Sequence, residues 1–126
     1  MFELPDVMRM AQQMARHAAA RQVVISENVA HADTPGYQAR DLPSFGATYA
    51  DGLSLRATRA GHFGFDTAAG VPAARTDPTT TTRSPNGNTV SLEHQIMRAA
   101  ETRQSHDMAL SVYSAARNIL RTALGN

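Results

Sequence analysis

Five histidines, His17, His31, His62, His94 and His106, are the residues of this chain best equipped to ligate a metal or carry a proton. A helical metal pair needs two histidines four residues apart, as in His-Glu-x-x-His, so that both face one way. No two of the five have that spacing, and His94 and His106 stand 12 positions apart. The spacing predicts no metal site, no cofactor, and surface or interface positions for the histidines. Cysteine is absent, which removes thiol nucleophiles, thiolate metal sites and disulfides. Ser26, Ser44 and Ser84 lack the surroundings of a nucleophile elbow. Neither a Gly-x-Gly-x-x-Gly nor a Walker pattern occurs. The chain reads as a non-enzyme.

Charge adds no nucleic-acid case. The 126 residues carry 12 basic and 11 acidic side chains, and every basic one is Arg. Binding a phosphate backbone calls for a basic face or stripe. The N-terminal Met1-Phe2-Glu3-Leu4-Pro5-Asp6 has no basic n-region and no apolar h-region, so no cleaved signal peptide is expected. No apolar run is long enough to span a membrane.

The chain divides by composition into three segments. Residues 5–33 contain no Gly and only Pro5, at the start. Val7, Ala11, Met14, Ala18, Ile25, Val29 and Ala32 recur in steps of three, four and seven, which draws one stripe along a helix. Pro5 suits a first turn and Asp6 the positive end of the dipole. Thr34 precedes Pro35 and is pushed out of the α region, so the helix must stop near Asp33. Pro35-Gly36 then fits a type II turn. Residues 91–124 again lack Gly and Pro, with Ser91 placed to cap them. Leu92, Ile96, Ala99, Leu110, Tyr113, Leu120 and Leu124 form a heptad-like seam, interrupted by Arg103, His106 and Arg117.

Between the helices, residues 38–88 hold six of the eight glycines, four of the six prolines and eight threonines. The Thr76–Thr82 stretch predicts no regular structure. Leu53-Ser54-Leu55 alternates as a short strand would. Phe45, Tyr49, Phe63 and Phe65 are candidates for a minicore. The predicted architecture is mainly α: long N- and C-terminal helices pairing as a coiled-coil-like hairpin, with a small irregular or β-containing insert. Segments 1–37 and 89–126 would form one helical assembly unit, and 38–88 the insert.

Two helices of this length are long against an average of about 11–12 residues. A lone pair cannot cover both of its apolar stripes, and these stripes are rich in Ala and Met. Partner helices are the natural remedy. The plain alternative is a compact monomer whose insert covers one face. Met8, Met10, Met14, Met97 and Met108 suit either ordinary core filling or an adaptable contact surface. Arg16, Arg21, Arg98, Arg103, Arg117 and Arg121 read as a solvated face, some within reach of Glu27, Glu93 or Glu101 of a neighbour.

Residues 28–37, Asn28-Val29-Ala30-His31-Ala32-Asp33-Thr34-Pro35-Gly36-Tyr37, resemble the signature of the bacterial flagellar rod, hook and hook-associated family. That signature reads roughly Asn-Ile-Ala-Asn-Ala-Asn-Thr-Pro-Gly-Tyr after a long helix. Asn28, Ala30, Ala32, Thr34, Pro35, Gly36 and Tyr37 match outright; His31 and Asp33 replace the usual Asn. Two further stretches, Thr58–His62 and Gly87–Glu93, together with the Ile119–Leu124 helix end, look like a proximal rod subunit of the basal body. The resemblance implies a structural subunit with no cofactor, exported by the flagellar type III apparatus without a cleaved signal. It would assemble into the periplasmic rod with copies of itself, other rod proteins and the rod base near the inner-membrane ring. The assembly residues it implies are the seven motif matches. The seams add Val7, Met14, Ile25, Leu92, Ile96, Leu110, Tyr113, Leu120 and Leu124.

Two other readings share parts of the pattern. A small cytoplasmic helical adaptor or chaperone would also carry amphipathic stripes, but would bind one partner helix and stay inside the cell. A small hydrolase would need one of the histidines beside a carboxylate in a cleft.

Overall fold

A computed structural model describes residues 4–54, 72–80 and 83–125. The first helix, α1, spans Leu4–Ala30; the last, α3, spans Leu92–Ala123. Between them lie a short helix α2, Phe45–Ser54, and two two-residue strands, β1 (Arg40–Asp41) and β2 (Arg75–Thr76). The strands pair antiparallel, Arg40 opposite Thr76 and Asp41 opposite Arg75. The two long helices pack along each other, and the insert leans on α1 through β1.

Sequence and ends agree well. Asp6 lies in the first turn of α1. The chain leaves the helix at Ala30 and turns through 31–36, with Gly36 at φ +73°. The side chain of Ser91 caps α3 by accepting the His94 amide at 3.5 Å.

The α1–α3 seam is built from small side chains. α1 buries Ala11, Ala18, Val24 and Ile25; α3 buries Ala109 and Ala116. Towards the insert, polar groups take over: Asn28, Gln95, Arg98 and Thr102 are all buried. Alanine methyls let helices approach closely but remove little apolar area, about 0.8 kcal/mol for each carbon buried. The hairpin is therefore thinly stabilised by its own contacts.

The insert departs from expectation in three places. Leu53 and Ser54 lie in α2, not in a strand. A three-residue alternation is too short to set a period, and Ser44 starts a helix by accepting the Ala47 amide at 3.3 Å. Thr76 and Asp77 are ordered within the predicted structureless stretch, Thr76 in β2 and Asp77 buried behind it. Phe45 and Tyr49 do meet, with ring centroids 5.5 Å apart. Their partner is His17 of α1, whose ring meets Phe45 edge-on at 5.8 Å. Phe63, Phe65, Leu55 and the Thr58–His62 stretch lie outside the described residues. His17 is itself a correction: it is buried and donates from Nε2 to the Pro43 carbonyl at 2.8 Å.

Candidate assembly surface

The signature loop and the approach to α3 are zipped together. Asn88, 2% exposed, donates from Nδ2 to the carbonyls of His31 (2.9 Å) and Thr34 (2.8 Å). Those carbonyls sit in the turn just past the end of α1, where they also accept the Thr34 amide at 3.0 Å and the Tyr37 amide at 3.3 Å. Its Oδ1 accepts the Val90 amide at 2.7 Å. The Gly36 amide donates to the Asn86 carbonyl and the Thr89 amide to the Tyr37 carbonyl, both at 3.0 Å. Gly87 has φ +85°, and a Cβ there would stand 3.4 Å from the Gly36 Cα. Two glycines thus meet where the two segments cross, and both adopt the left-handed conformation that glycine tolerates without cost.

Asn28 fastens the other side of the same loop. It is fully buried. Its Oδ1 accepts the Arg40 amide at 3.0 Å and the Tyr37 hydroxyl at 3.2 Å. Its Nδ2 donates to the Arg40 carbonyl at 2.7 Å and to Gln95 Oε1 at 3.1 Å. One side chain from α1 therefore pairs with β1 as a neighbouring strand would, and reaches α3. His31, where the signature usually has Asn, stacks on Tyr37 with centroids 4.6 Å apart and planes 9° from parallel. Of the remaining motif residues, Ala30, Thr34, Pro35 and Gly36 are exposed, and Ala32 is half-buried.

An ion cluster locks the insert to both helices. Arg21 of α1 grips Asp41 with two hydrogen bonds, Nε to Oδ1 at 2.9 Å and Nη2 to Oδ2 at 2.7 Å. Arg98 of α3 donates from Nη1 to Asp41 Oδ2 at 2.8 Å and from Nη2 to Thr79 Oγ1 at 2.7 Å. Asp77 Oδ2 stands 2.6 Å from the same Nη1, an ion pair without hydrogen-bond alignment. Burial opposes the charged form of Asp77. The Thr79 hydroxyl and amide and the Arg98 guanidinium outweigh it, so its pKa lies below the ordinary Asp value. The hydrogen bonds from Arg21 to Asp41 likewise hold the Arg21 pKa above its ordinary value. The reading of Arg21 and Arg98 as solvated is thus corrected: both are paired within the chain. Asp41 and Asp77, their partners, carried no local sequence signal, because pairings across 20 (Arg21–Asp41), 21 (Arg98–Asp77) and 57 residues (Arg98–Asp41) leave none.

What remains uncovered is apolar. On α3, Ile96 is 68% exposed and Leu110 48%. Leu92, Met97, Met108, Val112, Ile119 and Leu124 are exposed as well. Of the seam residues, Tyr113 and Leu120 are half-buried; on α1, Ile25 is buried, and Val7 and Met14 are half-buried. Arg103, Arg117, Glu93 and Glu101 make no ion pair among the described residues. No cluster of three potential metal ligands occurs among them, and no described helix is long and apolar enough to cross a membrane.

No family model matches the chain. Curated proteins do. The chain is 36% identical over 126 residues to the flagellar basal body rod protein FlgB of Cereibacter sphaeroides, covering 89% of this chain and 93% of that protein. It is 31% identical over 129 residues to the protein of that name from Escherichia coli, covering 89% and 88%. The Yersinia enterocolitica protein is 29% identical over 127 residues, with 87% of each chain covered.

Proposed function

The chain belongs to the FlgB family of flagellar basal body rod proteins, and from that premise we propose that it is a non-catalytic subunit that builds the proximal rod through its terminal helices. The observation that carries this reading is the imbalance of α3. Its α1-facing side is small or polar, while eight large apolar residues from Leu92 to Leu124 face outward. Soluble monomers seldom leave such a surface open, and contiguous apolar patches mark interaction sites. Neighbouring helices in a rod would cover it.

The motif residues Asn28, Ala30, Ala32, Thr34, Pro35, Gly36 and Tyr37 then have a divided role. Asn28 and Tyr37 hold the insert to the hairpin and set its angle; the exposed Ala30, Thr34, Pro35 and Gly36 are free to meet a neighbour. Partners on this reading are further copies, related rod proteins and the base of the rod near the inner membrane. The subunit leaves the cytoplasm through the flagellar type III apparatus and functions in the periplasmic part of the basal body. Side-by-side helices suit a torque-bearing shaft, because close-packed interdigitated side chains share load and resist sliding.

Deleting the gene in its motile host and imaging purified basal bodies tests the proposal. Loss of swimming, with an inner ring but no rod above it, restored by the gene in trans, is the expected result. Normal swimming and complete basal bodies would contradict it and favour the cytoplasmic adaptor.

A further inference from the structure

Beside the seam, α1 and α3 frame an open groove of about 710 Å³. Its walls are Ala18 and Ala19 from α1 and Ala99, Ala100 and Thr102 from α3, with Arg103 on α3 also lining it. Thr102 is only 3% exposed, yet its hydroxyl has no hydrogen-bond partner. A buried hydroxyl left unpaired is costly. Gln22 of α1 and His106 of α3 also line the groove, but neither bonds Thr102 or Arg103. The groove is therefore short of two things: apolar bulk to fill it, and a carboxylate for Arg103, which makes no ion pair among the described residues.

The same molecule carries both elsewhere. At about 100° per residue along a helix, Leu92, Ile96, Arg103, Leu110 and Arg117 share one flank of α3, the groove side. Met97, Glu101, Met108, Val112 and Ile119 share the other flank. Each lies about a quarter turn from the side that faces α1. The second flank offers flexible Met side chains suited to irregular gaps, with Glu101 set among them. Glu101 and Arg103 make no ion pair among the described residues. They lie two apart on one helix and cannot face each other.

Resting on the rod-subunit reading, we infer that a second copy of this chain fills the groove with the Met97–Met108–Ile119 flank of its α3. Glu101 of that copy then pairs with Arg103 and supplies the carboxylate the groove lacks. The two halves of the contact are different surfaces of one molecule. Such a contact is heterologous: it repeats from copy to copy and does not close into a two-fold dimer.

The natural absence of cysteine makes thiol cross-linking a clean test. Gln12 is exposed and lies on the groove stripe two turns before Ala19, about as far from Gln22 along α1 as Met108 is from Met97 along α3. The full chain carrying Gln12→Cys, Met108→Cys, or both, therefore replaces the native copy in the motile host, and purified basal bodies are oxidised. A second pair, Gln22→Cys with Met97→Cys, guards against a local distortion. The expected result is dimers and higher oligomers from either double variant and no cross-link from any single variant. Cross-linking of a single variant to itself overturns the proposal by showing a two-fold contact. So does the lack of any ladder from both double variants when the chain is present in the basal bodies. Cross-linking only to a different rod protein also overturns it. Absence of the native chain from basal bodies is separately measured, and would remove the rod reading together with this contact.

Discussion

Arg98 of α3 holds Asp41 of β1 through a 2.8 Å hydrogen bond, although 57 residues separate them in the chain. The same guanidinium sits beside Asp77 and Thr79, so one side chain ties α3 to β1 and to the segment that follows β2. Its side chain is 9% exposed and that of Asp77 only 2%. Without Arg98, Asp41 keeps Arg21, but Asp77 is left buried and charged with no cation paired to it among the described residues. Breaking a buried pair in this way costs about 3–5 kcal/mol. Arg98→Met should therefore lower the denaturant midpoint and release the insert while leaving α1 and α3 helical. Hydrogen exchange at the Asp77 amide, which donates to the Ala39 carbonyl at 2.9 Å, should speed up well before the helical amides do. Unchanged protection there would contradict the cluster's role.

Acid should loosen the same cluster. Asp77 is shifted below its ordinary value of 3.8, so the folded state favours its charged form. That contribution is fully present above the unfolded-state pKa, and is lost as pH falls through the lower folded-state pKa. Arg21 shifts upward, so its contribution persists across the neutral range and fades only in strong alkali. Stability measured from pH 7 to pH 2 should stay level on account of Asp77 until roughly pH 4, then decline. In Asp77→Asn the decline should be shallower, from a lower plateau. An equally steep acid limb in that variant would assign the loss to other carboxylates.

Asn28 offers a sharper probe of the loop. Its Nδ2 donates to two carbonyl oxygens, those of Arg40 and the Gln95 side chain. Asn28→Asp keeps the shape but puts a carboxylate oxygen against those acceptors, inside a fully buried site. The loss should reach at least about 3 kcal/mol, above the usual range for an unpaired neutral group. Thermal unfolding of the full chain would measure it; a change under about 1 kcal/mol would mean that β1 is held by other contacts.

How much of this was legible beforehand differs by element. α1 and α3 were plain, because an absence of Gly and Pro over some thirty residues and a capping Ser91 are local signals. The seam was less so. Periodicity counts apolar residues, and it traced Leu92, Ile96 and Leu110, which the fold leaves outside. The side that packs against α1 uses Arg98, Thr102, Ala109 and Ala116 instead. Thr102, Ala109 and Ala116 are small, and Arg98 is polar with partners in the insert, so no hydrophobic stripe announces them. α2 was missed because Gly46 and Gly52 disguise a helix whose Phe45–Tyr49 pair is held by His17 of α1. The signature loop was recognised as a motif, but its grip on Asn86–Thr89 is a contact across 50 to 57 residues, visible only once both are placed.

If the uncovered side of α3 builds the rod, assembly must fail when Leu110 is made polar. It is 48% exposed, next to Ala109 at 1%, so Leu110→Asp should leave the hairpin within about 0.5 kcal/mol of native stability. The measurement is the amount of this variant in basal bodies purified from cells lacking the native copy, alongside its far-ultraviolet circular dichroism. The expected result is a folded chain with native helix content that is missing from the rod, in cells that do not swim. Incorporation at the native level, with normal swimming, would contradict it.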